Sequence, residues 1–182
     1  EVINKYTQSR HLPATLFQKA QFNFENGSYN FSIEVFSRLI REYPESSYIP
    51  YALQSRAIAA SNVSNFPLAE ADYKMILQKY PTSDVANNAL LGLQEILQKT
   101  GKSAEFGDYV VLYRQANPNN TQLESIEFEA AKSQYFNQQY TLAIGSFDRF
   151  MNSYPNSAYK TEAYYLKADA YFRTGDVQMA LQ

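Results

Sequence analysis

The sequence predicts an all-α solenoid, a right-handed superhelix of antiparallel helix pairs, and three observations predict it. Prolines at 44, 81, 118 and 155 stand 37 residues apart, three of them in the same short sentence: Tyr43-Pro44-Glu45-Ser46, Tyr80-Pro81-Thr82-Ser83 and Tyr154-Pro155-Asn156-Ser157. The other copy is worn to Asn117-Pro118-Asn119-Asn120. A fixed period in this range marks units that bury their apolar faces by stacking on neighbours. Between the prolines the apolar residues step by three and four, as in Tyr140, Ala143, Ile144, Phe147, Phe150, Met151 and Tyr154. That spacing puts them on one stripe of a helix. Finally, Gly27, Gly101 and Gly175 fall in one column with Ser64 and Gln138, dividing each unit in two.

The elements follow in order. Each first helix carries a small residue, Ala20, Ala57, Ala131 and Ala168 with Gln94 as the exception, which lets two helices approach closely. It ends at the glycine column, where positive φ is wanted. Pro13 and Pro50 require the first and second of these helices to start close by. The second helix shows the stripe again in Phe36, Leu39, Ile40 and Tyr43 and in Tyr73, Ile76, Leu77 and Tyr80. Proline then stops it, because the residue before a proline is biased out of the helical region. Ser46, Ser83, Asn120 and Ser157 are placed to cap the next helix. Helices are expected at 12–26, 29–43, 47–63, 66–80, 84–100, 103–116, 121–137, 140–154 and 158–174. The whole chain, 1–182, reads as a single array of about four and a half repeats, with pairs near 12–43, 47–80, 84–116, 121–154 and 158–182.

The third copy departs furthest. Gln94 replaces the small residue, Phe106 replaces alanine, and Gly107 sits inside the expected second helix, where glycine costs about 1 kcal/mol relative to alanine. Such a unit either marks a change of superhelical curvature or has drifted; the sequence leaves both open. Both ends look truncated. Tyr6-Thr7-Gln8-Ser9 aligns one period before Tyr43, so residues 1–6 read as the tail of an earlier helix, and Gly175 to Gln182 open a fifth second helix. Solenoids end in polar caps, so the chain is expected to be an excerpt of a longer protein.

Small residue, glycine, aromatic, alanine, aromatic, proline: this order resembles the tetratricopeptide repeat over essentially the whole chain, most closely at Gly27-Ser28-Tyr29 with Phe36 and at Gln139-Tyr140-Thr141-Leu142-Ala143-Ile144 with Phe147. The family unit is usually 34 residues. The longer unit with Tyr-Pro-x-Ser resembles repeat proteins of the Gram-negative envelope, among them the lipoprotein of the outer-membrane β-barrel assembly machinery and the periplasmic partner of the Tol-Pal system. The resemblance implies a non-catalytic scaffold for protein–protein interaction, periplasmic or envelope-associated, holding a protein or peptide in a concave groove lined by the first helices.

Projected onto this chain, the groove takes Phe17, Gln21 and Phe24; Tyr51, Gln54, Ile58 and Asn62; Asn88, Leu91 and Glu95; Phe128, Lys132 and Tyr135; and Tyr165, Asp169 and Arg173. Aromatics beside amide side chains suit an extended peptide, although several of these aromatics are equally suited to packing between helices. The carboxylate clamp of chaperone-binding relatives is not reproduced, since Phe17, Gln21, Gln54 and Ile58 stand where its Lys and Asn would be. A glycan-binding module and a structural spacer without a ligand are the alternatives. The 16 tyrosines would stack on sugars, and the absence of tryptophan weakens that reading.

Composition narrows the classes further. A net charge of −2 with no basic block opposes nucleic acid as a partner. No apolar run approaches the length that spans a bilayer. Zero cysteines exclude disulfides and thiolate metal sites, and the lone His11 leaves no histidine cluster or Ser/His/Asp triad. The carboxylate sets Glu124, Glu127 and Glu129, and Glu70 with Asp72, read as solvated helix faces. No phosphate-binding glycine loop occurs. Neither enzymatic activity nor a cofactor is expected.

Overall fold

The computed structural model describes residues 12–180, and every regular element in them is helical. Helix α1 spans Leu12–Glu25, α2 Tyr29–Glu42, α3 Ile49–Asn62, α4 Phe66–Lys79 and α5 Ala86–Lys99. A 3₁₀ turn at Ser103–Glu105 leads into α6, Phe106–Ala116, followed by α7 Leu123–Phe136, α8 Tyr140–Ser153, α9 Lys160–Arg173 and the short α10 Val177–Ala180. His11 and the segment read as the tail of an earlier helix lie outside the described residues.

Every first helix ends in the same way. Gly27, Ser64, Gly101, Gln138 and Gly175 have φ of 72°, 59°, 74°, 60° and 86°. The residue after each donates its backbone N–H five residues back, as from Ser28 to the Asn23 carbonyl (2.8 Å), Asn65 to Ala60 (2.8 Å) and Gln139 to Gln134 (2.9 Å). This is a Schellman ending, which satisfies carbonyls the helix leaves free and needs one left-handed residue. The glycine column is thus a backbone requirement, met in two copies by residues that hold that geometry at some cost.

The Tyr-Pro-x-Ser sentence is a turn. The N–H groups of Ser46, Ser83, Asn120 and Ser157 donate to the carbonyls of Tyr43, Tyr80, Asn117 and Tyr154 at 3.0 to 3.1 Å. Proline occupies the position of that turn where its fixed φ fits. A second turn follows, closed by Ile49 on Ser46, Ala86 on Ser83 and Lys160 on Ser157. The first helices therefore begin two residues later than expected, at Ile49, Ala86, Leu123 and Lys160. The polar residue is not their cap. Ser46, Asn120 and Ser157 accept instead from Tyr48, Gln122 and Tyr159 inside the turn, at 3.3, 2.8 and 3.0 Å. The Ser83 hydroxyl instead donates to the Tyr80 carbonyl at 2.7 Å. Pro50 sits in the first turn of α3, where a missing N–H is harmless.

The helices group into two compact units, Glu1–Lys102 and Ser103–Gln182, whose boundary falls inside the worn third copy. In the first, consecutive helices pack on one another and each first helix also touches the next first helix, α1 on α3 and α3 on α5. Leu16, Phe36, Leu39, Leu53, Ile76, Leu77, Leu90 and Leu93 are sealed from solvent, each contributing roughly 1.5–3 kcal/mol. Ala20 and Ala57 are fully buried at the close contacts. There the Ser32 hydroxyl of α2 donates to the Ala20 carbonyl of α1 at 2.9 Å. In the second unit the core gathers Phe128, Ala131, Ala143, Phe147, Phe150, Ala163 and Leu166. Gln94 and Ala168, the remaining members of the small column, are only half-buried.

Candidate functional site

In the first unit the first helices α1, α3 and α5 carry the residues expected to line a groove. Tyr51, Ile58, Asn62, Asn88, Leu91 and Glu95 are exposed, and Phe17, Gln21, Phe24 and Gln54 are half-buried. Polar side chains tie neighbouring turns of this face together. Ser55 Oγ donates to Gln21 Oε1 at 3.4 Å, and Tyr51 Oη to Asp84 Oδ2 at 3.3 Å. Asn62 folds back to donate to the Ile58 carbonyl one turn before it (2.9 Å). Phe24 meets Tyr29 edge-on at 5.6 Å between ring centres, so its ring partly serves the α1–α2 contact.

In the second unit the corresponding face belongs to α7 and α9. Tyr135 donates to Asp169, which also accepts from Arg173, and Lys132 pairs with Glu162 at 2.8 Å. These bonds act on the acidities: the Tyr135 hydroxyl and then Arg173 hold the Asp169 carboxyl below its usual range, and that same bond pushes the Tyr135 hydroxyl up. The Arg173 guanidinium lies over the rings of Tyr135 and Tyr140, at 5.9 and 5.5 Å from their centres. Tyr165 stands clear of all this, 71% exposed.

Phe128 is a correction. It is 1% exposed, stacked on Tyr159 at 4.6 Å and packed on Phe147 and Phe150, so it belongs to the core and lines no groove. Phe17 is half-covered in the same manner by Tyr48, at 5.1 Å. An aromatic 31 residues further on was the available signal in both cases. Exposed Phe136, Tyr164 and Phe172, beside the chosen positions in the second unit, were not anticipated.

Three of the carboxylates read as solvated, Asp72, Glu70 and Glu127, are also corrected, whereas Glu129 is exposed as expected. Asp72 is 1% exposed and takes a bidentate grip from Arg56, at 2.6 and 2.8 Å, while Arg56 also donates to Ser37 Oγ at 2.8 Å. Burial pushes the Asp72 carboxyl up against the pull of that guanidinium. Glu70 is buried too. Desolvation raises its carboxyl, but hydrogen bonds from Lys74 and Lys102 outweigh this and leave it below the usual range. Glu127 pairs with Arg114 and accepts from Tyr154 Oη at 2.9 Å. The i, i+4 pair Glu70–Lys74 was visible in the sequence; the other partners come from elsewhere in the chain, Arg56 and Arg114 from different helices and Lys102 and Tyr154 from the connections after α5 and α8.

Set beside known structures, the chain superposes on YrrB, a TPR protein with an unusual peptide-binding site, with a TM-score of 0.56 at 13% identity, covering 100% of this chain and 88% of that one. A tetratricopeptide repeat protein of Parabacteroides merdae gives 0.58 at 13% identity, with 98% of this chain and 65% of that chain covered. The fold is the tetratricopeptide repeat. BtubC of P. vanneervenii shares this TPR-like fold, with a TM-score of 0.52 and 14% identity over 93% of this chain and 75% of that one. A family model for YfiO, described as an outer membrane lipoprotein, matches residues 109–180. No curated protein sequence matches significantly. Among the described residues no helix is long and apolar enough to cross a membrane.

Proposed function

We propose that this chain is a non-catalytic segment of a larger bacterial envelope protein, one continuous TPR array that holds an extended peptide or protein segment on the face of its first helices. One observation carries the reading: Tyr51, Ile58 and Leu91 leave apolar side chains open to solvent on first helices of the first unit that also carry the amides of Gln54 and Asn88, and Tyr165 is open on α9 of the second unit. Aromatic and aliphatic anchors ringed by amide donors and acceptors match an extended backbone with alternating side chains. TPR proteins serve generally as interaction scaffolds, and YrrB is a TPR protein with a peptide-binding site. Envelope placement draws its support from the similarity to the YfiO lipoprotein family over residues 109–180.

Photo-crosslinking residues placed at Leu91 and Tyr165 of the parent protein, in cells, test both halves of the reading. Adducts with a protein partner in the envelope fraction are expected at these positions. Adducts formed only from Phe31, which is exposed on the second helix α2, would remove the first-helix face from consideration.

A further inference from the structure

The worn third copy and the fourth replace core residues with polar ones in a coherent way. At the 37-residue spacing, Glu127 stands in the column of the buried leucines Leu16, Leu53 and Leu90. Arg114 stands in the column of Ile40, Leu77 and Met151, and Gln134 in that of Ala60 and Leu97. All three line one space where α6 lies beside α7 in the second unit. Arg114 pairs with Glu127 and donates to Ser153 Oγ at 3.2 Å. The pairing is incomplete, because Arg114 Nε and Gln134 Oε1 are buried with no hydrogen-bond partner, and Gln134 is only 5% exposed.

Beside these atoms opens a cleft of about 280 Å³, with Phe106, Val110, Val111 and Ala130 as its apolar lining. Gly107 creates much of it. The aligned positions carry Ile33, Glu70 and Ile144, whereas a Cβ on Gly107 would already lie 3.3 Å from Arg149 Nη2. The Arg149 guanidinium at the rim bonds to Ser146 Oγ at 3.0 Å and has no carboxylate partner among the described residues. A buried ion pair in place of leucines does little for stability, and a buried amide oxygen without a donor works against it. Void, unmatched acceptor and uncompensated cation converge on one spot, separate from the first-helix face.

We propose that this cleft is a ligand site for a carboxylate that adjoins an amide N–H and an apolar side chain. The side chain fills the space over Gly107, the N–H donates to Gln134 Oε1, and the carboxylate pairs with Arg149. At the lower end of the size range for ligand pockets, the cleft takes one or two residues. That chemistry belongs to an acidic peptide segment and equally to a free N-acyl amino acid.

The test is an NMR titration of the full chain with acetyl-Leu-Glu-Gly-amide, its Gln counterpart and N-acetyl-leucine, read at the Gln134 side-chain amide. The Glu peptide is expected to bind at least ten-fold tighter than the Gln peptide, and R149Q to abolish that preference. Gln134→Leu should weaken binding at least ten-fold while leaving the melting temperature equal or higher, an outcome that a structural role for Gln134 does not give. Gly107→Ile should block the cleft without lowering the melting temperature. Binding of N-acetyl-leucine alone assigns the site to a free acid. Absence of binding by all three, or binding indifferent to both R149Q and Gly107→Ile, overturns the proposal.

Discussion

Gln138 and Ser64 do with a side chain what Gly27, Gly101 and Gly175 do without one. Left-handed backbone costs an L-residue about 1–2 kcal/mol, partly returned by the lower entropy of the unfolded chain. Gln138→Gly is therefore expected to stabilise the protein by about 0.5–1 kcal/mol, read from urea melts; a loss would mean that the Gln138 side chain contributes something the backbone geometry does not reveal. Gly92 argues the other way. A Cβ there would run into the Tyr73 ring at Cζ, and that ring is buried, its hydroxyl pushed up to about 12 by burial and then by Glu95 and Asp72. Gly92→Ala should cost about 1–3 kcal/mol from overpacking despite alanine's better helix propensity. An unchanged melting temperature would show that the ring swings aside freely.

At the scale of the element, the contacts between helices depend on small residues and rings in fixed columns. Ala57 and Ala131 are fully buried, so Ala57→Leu or Ala131→Leu should each destabilise by about 1–3 kcal/mol, with Gln94→Ala mild because Gln94 is only half-buried. Urea melts of the three variants rank the column directly. Phe128→Ala should lose about 3–5 kcal/mol of stability as a core truncation. The first-helix groove column also shows what periodicity leaves out. Phe17, Gln54, Leu91, Phe128 and Tyr165 are equivalent in register, yet Phe128 is 1% exposed and Tyr165 71%. Register places a side chain on a face, and the neighbour across the turn decides whether that face is covered: Tyr159 closes over Phe128.

Across the whole molecule, charge is balanced inside the helix packing as well as on its surface. The Glu70 carboxyl, held below its usual range in the fold, binds a proton less readily there than in the unfolded chain, where its pKa is about 4.3. Its contribution is thus present above about pH 4.3 and is lost as pH falls through the lower folded value. Urea melts between pH 6 and 3 should show a steeper loss for the native chain than for Glu70→Gln; parallel curves would mean that Lys74 and Lys102 do not stabilise the charge. Asp72, raised by burial, acts in the opposite sense, which is why the comparison with Glu70→Gln isolates the group.

The helices, their order and their endings were legible in the sequence, because backbone demands recur with the period: a left-handed residue after each first helix, a proline turn after each second one, and an apolar stripe at steps of three and four. Such demands are local and survive in a single chain read by itself. Start positions slipped by two residues because Ser46, Asn120 and Ser157 can serve a turn as readily as a helix cap, and only the hydrogen bonds distinguish the two. Tertiary structure alone decided which carboxylates are buried, since Arg56 reaches Asp72 from a different helix. It also decided where space remains, because the cleft over Gly107 depends on side chains from α6, α7 and α8 meeting imperfectly, and a void has no signature in any one of them.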